Sequence, residues 1–105
     1  MTDDFQLTSR ITESGVVHID VRGDLDAATA DRVVNVLGVY LEPITGCIID
    51  LTHCNFIDSS GVRALVLCQL QLESPHRVVL VGTDPRVDRM LSVAGMSRRR
   101  PSTVQ

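Results

Sequence analysis

Residues 47–63, CIIDLTHCNFIDSSGVR, decide how the rest of the chain is read. Cys47, Ile48 and Ile49 form a short unbroken apolar run, the pattern of a strand covered on both faces. Asp50 and Thr52 mark where that strand is expected to meet water. After Phe56 and Ile57 the pattern predicts a turn. A Ser or Asp ahead of an apolar helical run accepts hydrogen bonds from the first free amides, so Asp58-Ser59-Ser60 reads as a helix N-cap with Gly61 behind it. Function is expected at this strand-to-helix junction.

Downstream, Val62, Ala64, Leu65, Val66, Leu67 and Cys68 are apolar nearly all round, as in a helix packed deep against a sheet. Ser74-Pro75 closes it, and RVVLV at 77–81 reads as the next buried strand. Gly82-Thr83-Asp84-Pro85 then supplies a loop, a cap and a proline at the first helical position. Val87, Met90, Leu91 and Ala94 follow at helical spacing, with Gly95 as the expected stop.

Upstream, residues 5–11 and 16–21 alternate apolar and polar, and Thr12-Glu13-Ser14-Gly15 between them predicts an antiparallel hairpin. His18 falls on the polar side of the second strand and reads as an ordinary half-exposed residue. Gly23-Asp24-Leu25-Asp26 leads into a helical pattern with Ala30, Val33, Val34, Leu37, Tyr40 and Leu41 on one side, ending near Glu42-Pro43. Asp26 and Thr29 are its candidate caps, and Asp24 and Asp26 read first as turn and cap residues. Three strand-helix units in succession favour parallel strands joined by right-handed crossovers.

The chain has 105 residues, enough for one domain with one core. We place that domain at residues 1–97, with 98–105 as an Arg-rich tail. The composition is 44% hydrophobic and 22% charged, and no apolar stretch approaches the ~20 residues that span a bilayer. The start, Met1-Thr2-Asp3-Asp4, is no signal peptide. Three irregularly spaced cysteines argue for a reducing compartment, hence the cytoplasm. Residues 1–75 hold four Arg against eleven acids, and residues 76–105 six Arg against two. That acidic larger part, with three aromatic residues in all and no Trp, makes nucleic acid an unsuitable partner.

These residues resemble the STAS domains of the anti-sigma factor antagonist family. The likeness is carried by Gly23-Asp24-Leu25-Asp26-Ala27, by Ile48-Ile49-Asp50-Leu51 running into Phe56-Ile57-Asp58-Ser59-Ser60-Gly61-Val62, and by Val78 to Gly82 with Arg86-Val87 and Met90-Leu91. It implies an α/β fold, a mixed, mostly parallel sheet of four to five strands with helices packed against it. Usual members add a last strand and a closing amphipathic helix; residues 96–105, MSRRRPSTVQ, carry no such apolar face. A patch left uncovered there invites a partner or a homodimer.

The resemblance also implies a mode of action. An antagonist binds an anti-sigma factor and frees the sigma factor; a serine kinase, commonly the anti-sigma factor itself, phosphorylates the antagonist, and a phosphatase restores it. On this chain the phosphoacceptor maps to Ser59, and the partner surface to Asp24, Asp26, Asp58, Ser60 and Gly61. No catalysis, cofactor or metal is assigned to the antagonist, and no membrane is involved. The competing reading is a STAS scaffold, or an accessory subunit of a transporter ATPase or stress-signalling complex, that uses no phosphorylation.

Three sharper chemistries can be read against the residues themselves. A hydrolase built from His53, Asp58 and Ser59 fits poorly, because a nucleophile elbow needs Gly two residues before the Ser as well as after it, and Ile57 stands there. Cys54, read as a loop residue, is the candidate exposed thiol and hence the candidate redox site, whereas Cys47 and Cys68 read as core. Metal binding by His53 and Cys54 would need ligands that no paired spacing offers.

Overall fold

A computed structural model describes residues 4–93. The expected helix stop at Gly95, the Arg-rich tail and the expected lack of a closing helix fall outside the described residues. Strand β1 (Gln6–Ile11) and strand β2 (Val16–Leu25) form the predicted hairpin. Its turn is held by the Gly15 amide donating to the Thr12 carbonyl at 3.0 Å, with Gly15 at φ 93°, where an L side chain would be strained.

Strands β3 (Gly46–Ile57) and β4 (Val78–Val81) add in parallel, so the described residues form one four-stranded sheet in the order β1-β2-β3-β4. Helix α1 (Ala30–Val36) links β2 to β3, α2 (Ser59–Leu70) links β3 to β4, and α3 (Pro85–Val93) follows β4. Each crossover steps the same way across the sheet, so right-handed connections put the helices on one face. Val17, Ile19 and Val21 of β2, Cys47, Ile49 and Leu51 of β3, and Val78 and Leu80 of β4 bury that face against Val33, Leu65, Cys68 and Leu91.

The other face corrects the expectation of a strand covered on both sides. Ile48 lies on it only half-buried, beside His18, Asp20, Asp50, Val79 and Val81. An unbroken apolar run arises here because the open face still carries aliphatic residues, not because helices cover it. Strand β3 meets water at Thr52 and His53, as expected, and continues beyond them as a strand to Ile57.

The first helix is shorter than its sequence pattern. It ends at Val36 and tightens into a 3₁₀ turn over Leu37–Val39, where Gly38 is a poor helix former. The tighter turn changes the angular phase, so Leu41 leaves the apolar stripe and is 97% exposed, while the Tyr40 hydroxyl donates to Ser9 at 2.7 Å.

Candidate functional site

The carboxyl ends of β2, β3 and β4 form the edge where the functional loops gather, as expected in a parallel sheet. The register between β2 and β3 slips twice on the way there. Asp20 pairs with Asp50, Arg22 with His53, Asp24 with Phe56 and Leu25 with Ile57, so β3 uses seven steps where β2 uses five. These bulges bring Ile57 inward onto the core and leave Phe56 on the rim, 44% exposed.

Asp58, directly after β3, is the N-cap of α2. Its extended backbone (φ −111°, ψ −170°) turns the chain, and its Oδ1 accepts the Gly61 amide at 3.1 Å. Its own amide donates to the Leu25 carbonyl at 3.3 Å, tying the helix start to the end of β2. Ser59 is therefore not the cap. It is the first residue of the helix, and it is exposed. Ser60 is half-buried and Gly61 buried.

The acidic stretch is fastened from within. Asp24 and Leu25 belong to β2 rather than to a loop, extending that strand beyond the predicted Val21. Thr29, 8% exposed, donates its hydroxyl to the Asp24 carbonyl at 2.7 Å and accepts the Asp26 amide at 3.0 Å. Asp26 Oδ1 accepts the Ala28 amide at 3.0 Å, closing an Asx turn. With Asp26 engaged locally, the Asp24 carboxylate is the one presented at the surface.

Across the rim, Asp84 caps α3 by accepting the Val87 amide at 2.8 Å, and the Arg86 guanidinium carbon lies 5.8 Å from the centre of the Phe56 ring. Between these elements lies a crevice of about 30 Å³ lined by Cys54, Phe56, Asp84 and Arg86 among others. Small-molecule clefts run to roughly 300–1,000 Å³, so it has room for water or the tip of one side chain and not for a substrate.

Cys54 is in β3, not in a loop, and is half-buried, its thiol within 3.4 Å of the Phe56 carbonyl. Burial pushes that thiol's pKa up and outweighs the opposing backbone hydrogen bonds to Phe56 and Leu25, and the carboxylates of Asp24 and Asp84 add to the rise. Such surroundings lower the thiolate fraction on which redox chemistry depends. His53 is exposed on β3 opposite Arg22, and the Asp58 carboxylate is engaged as a cap, so neither is held as a triad would need. Among the described residues, no three His, Cys, Asp or Glu side chains group as metal ligands.

The sequence pattern singled out Ser59, Asp58 and Asp24 but gave no role to Thr29 beyond a cap, and none to Phe56 or Arg86. The signal for Phe56 was in plain view: an aromatic residue following Asn55, two positions before the Asp58 turn.

The described residues thus form a one-sided α/β sheet whose carboxyl edge presents an exposed serine at a helix start, with the acids Asp24 and Asp58 beside it. The chain belongs to the STAS domain family, whose pattern matches residues 9–102. It is homologous to anti-sigma factor antagonists. The anti-sigma-B factor antagonist of Listeria monocytogenes is 33% identical over 96 residues, covering 87% of this chain and 83% of that protein. Among solved structures, the anti-sigma factor antagonist SpoIIAA in its unphosphorylated form matches with a TM-score of 0.75 and 18% identity, covering 94% of this chain and 90% of that one. The phosphorylated form of SpoIIAA, the Bacillus cell fate determinant, gives 0.74 and 19%, with 92% of each chain covered. A sulfate transporter family protein from Wolinella succinogenes gives 0.67 and 26%, covering 82% and 71%. No helix among the described residues is long and apolar enough to cross a membrane.

Proposed function

We propose that this chain is an anti-sigma factor antagonist acting in the cytoplasm. It binds an anti-sigma factor of the serine-kinase type while Ser59 is unmodified, so releasing a sigma factor, and it is switched off when that kinase phosphorylates Ser59. A phosphatase resets it. The observation that carries this reading is the division of labour at the start of α2. Asp58 makes the cap hydrogen bond, so capping does not account for the exposed serine beside it.

The electrostatics of that position suit a binding switch. A phosphate adds a charge of about −1.5 to −2 at neutral pH. Inside the domain it meets the free amides and positive dipole end of α2, which favour an anion. Facing outward, it joins the carboxylates of Asp24 and Asp58, and a docked partner must then desolvate or oppose the added charge. A loss of about 3 kcal/mol weakens binding roughly a hundredfold. The near-equal likeness of this fold to the unphosphorylated and phosphorylated forms of SpoIIAA fits a phosphate that leaves the domain's shape in place.

Asp24, Asp58 and Ser60 contact the partner in this reading. Asp26 and Gly61 act through position, one by shaping the acidic turn and the other by seating α2. The chain itself catalyses nothing.

The test is affinity capture from native lysate on wild-type, Ser59→Ala and Ser59→Glu baits, quantified by mass spectrometry. An ATPase-type anti-sigma factor retained by wild type and Ser59→Ala but depleted on Ser59→Glu supports the proposal. A transporter ATPase or scaffold subunit captured equally by all three overturns it.

A further inference from the structure

We infer that Phe56 is a second anchor of the partner surface, distinct from the phosphoacceptor; this rests on the reading of Ser59 as the binding switch. Large apolar side chains are exposed at four described positions, Val39, Leu41, Phe56 and Leu70. Only Phe56 lies at the carboxyl edge of the sheet beside the acidic residues. It pairs across the ladder with Asp24, precedes the Asp58 cap by two residues, and carries the Arg86 guanidinium 5.8 Å from its ring centre.

An isolated exposed aliphatic residue needs no explanation, but an aromatic ring inside a functional rim does. A standard interface covers about 800 Å² on each partner, so one centred on Ser59 takes in a residue three positions away. Interface cores favour aromatic rings surrounded by polar groups that exclude water, which is the arrangement of Phe56 between Asp24, Asp84 and Arg86. The second bulge in β3 supplies the geometry. Without the extra residue between Cys54 and Phe56, the ladder would not place Phe56 beside Asp24 with Ile57 on the core.

The occupant is the anti-sigma factor itself. Its complementary surface carries an apolar side chain that meets the Phe56 ring, flanked by basic groups that face Asp24, Asp58 and Asp84. Such a surface separates affinity from switching: the ring contributes affinity in either state of Ser59, whereas a phosphate there must be stripped of water at a point of the interface where no basic group faces it, and that cost releases the partner.

The test installs photoreactive p-benzoylphenylalanine at position 56, 24 or 41 of the full chain in its native cells. Position 41, at the opposite edge of the sheet, is the control. Irradiation is expected to join positions 56 and 24, but not 41, to the serine-kinase-type anti-sigma factor, with both adducts lost when Ser59→Glu is added. Adducts at 24 without one at 56 overturn the inference and leave the Ser59 reading standing; adducts at neither overturn both. With that factor purified, Phe56→Ala is expected to raise its Kd at least tenfold and Leu41→Ala less than twofold, at unchanged thermal midpoints. Should Phe56→Ala unfold the domain, Phe56→Leu, expected to raise the Kd at least threefold, takes its place. A Kd unchanged for the folded variant overturns the anchor.

Discussion

Gly61 and Leu25 meet so closely that a Cβ added to Gly61 would lie 2.5 Å from the Leu25 carbonyl oxygen and 3.0 Å from its Cγ. The start of α2 is thus pressed onto the end of β2, and the hydrogen bond from the Asp58 amide to the same carbonyl holds it there. Whatever recognises Ser59 reads it in a position fixed relative to Asp24.

Gly61→Ala must therefore shift the helix or the strand end. Overpacking of this kind costs about 1–3 kcal/mol. The expected result is a lower urea midpoint, with amide shift changes centred on residues 24–26 and 58–62. Gly38→Ala, where nothing lies within 4 Å of the added Cβ, is expected to leave stability within about 0.5 kcal/mol.

The neighbouring pair separates structure from signalling. Asp58→Ala removes the cap to the Gly61 amide and is expected to lower stability by about 1 kcal/mol. Ser59→Ala, at an exposed position with no capping role, is expected to stay within about 0.5 kcal/mol of wild type while abolishing phosphate incorporation by the partner kinase. Urea titrations beside a phosphorylation assay check both. An unfolding penalty for Ser59→Ala equal to that of Asp58→Ala would return Ser59 to a capping role.

How far the sequence reached follows from which residues carry periodic signals. The order of strands and helices was legible because Val17-Ile19-Val21 alternates, RVVLV is continuous, and Pro43 and Pro75 punctuate the chain. The DSSG turn announced the site, since few patterns other than a helix start put three small polar residues between Ile57 and Val62. The open face was not legible, because Ile48 is as apolar as the buried Ile49 and only the placement of the helices distinguishes them. Nor were the β3 bulges, which depend on pairing with β2, so Cys54 was read as loop and Phe56 was given no functional role. Which of Asp58 and Ser59 would cap α2 was equally hidden, both being good cap residues whose choice is settled by backbone angles.

Thr29 should behave as the fastener of the acidic turn. Its buried hydroxyl serves the Asp24 carbonyl and the Asp26 amide at once, so Thr29→Val leaves both backbone groups without that partner. The expected loss is about 1–3 kcal/mol in urea unfolding, with the amide resonances of residues 24–28 displaced. Thr29→Ser keeps the hydroxyl and is expected to recover most of it. If Thr29→Val and Thr29→Ser destabilise alike, the packing of the methyl group and not the hydrogen bonds holds the turn.

The two core thiols predict an alkaline limit to stability. Burial, reinforced by the neighbouring Cys68, pushes the pKa of Cys47 up from 9.0 to about 12, and burial alone pushes that of Cys68 up to about 11. Both side chains are almost wholly shielded, at 1% and 0% exposure. In the unfolded chain each thiol ionises near its ordinary value, while in the folded chain it stays protonated well above that. Folding stability is therefore full below about pH 9 and is lost as pH rises toward the folded values, because only the unfolded state releases the protons. The slope is up to about 1.4 kcal/mol per pH unit for each thiol between its unfolded and folded pKa. Urea midpoints measured under reducing conditions at pH 7, 9 and 10.5 are expected to hold between the first two and fall at the third. Cys68→Ala costs stability at pH 7 through the space it leaves, yet its further loss from pH 9 to 10.5 is expected to be smaller than that of wild type. An equal loss in the two proteins would assign the alkaline transition to groups other than Cys68.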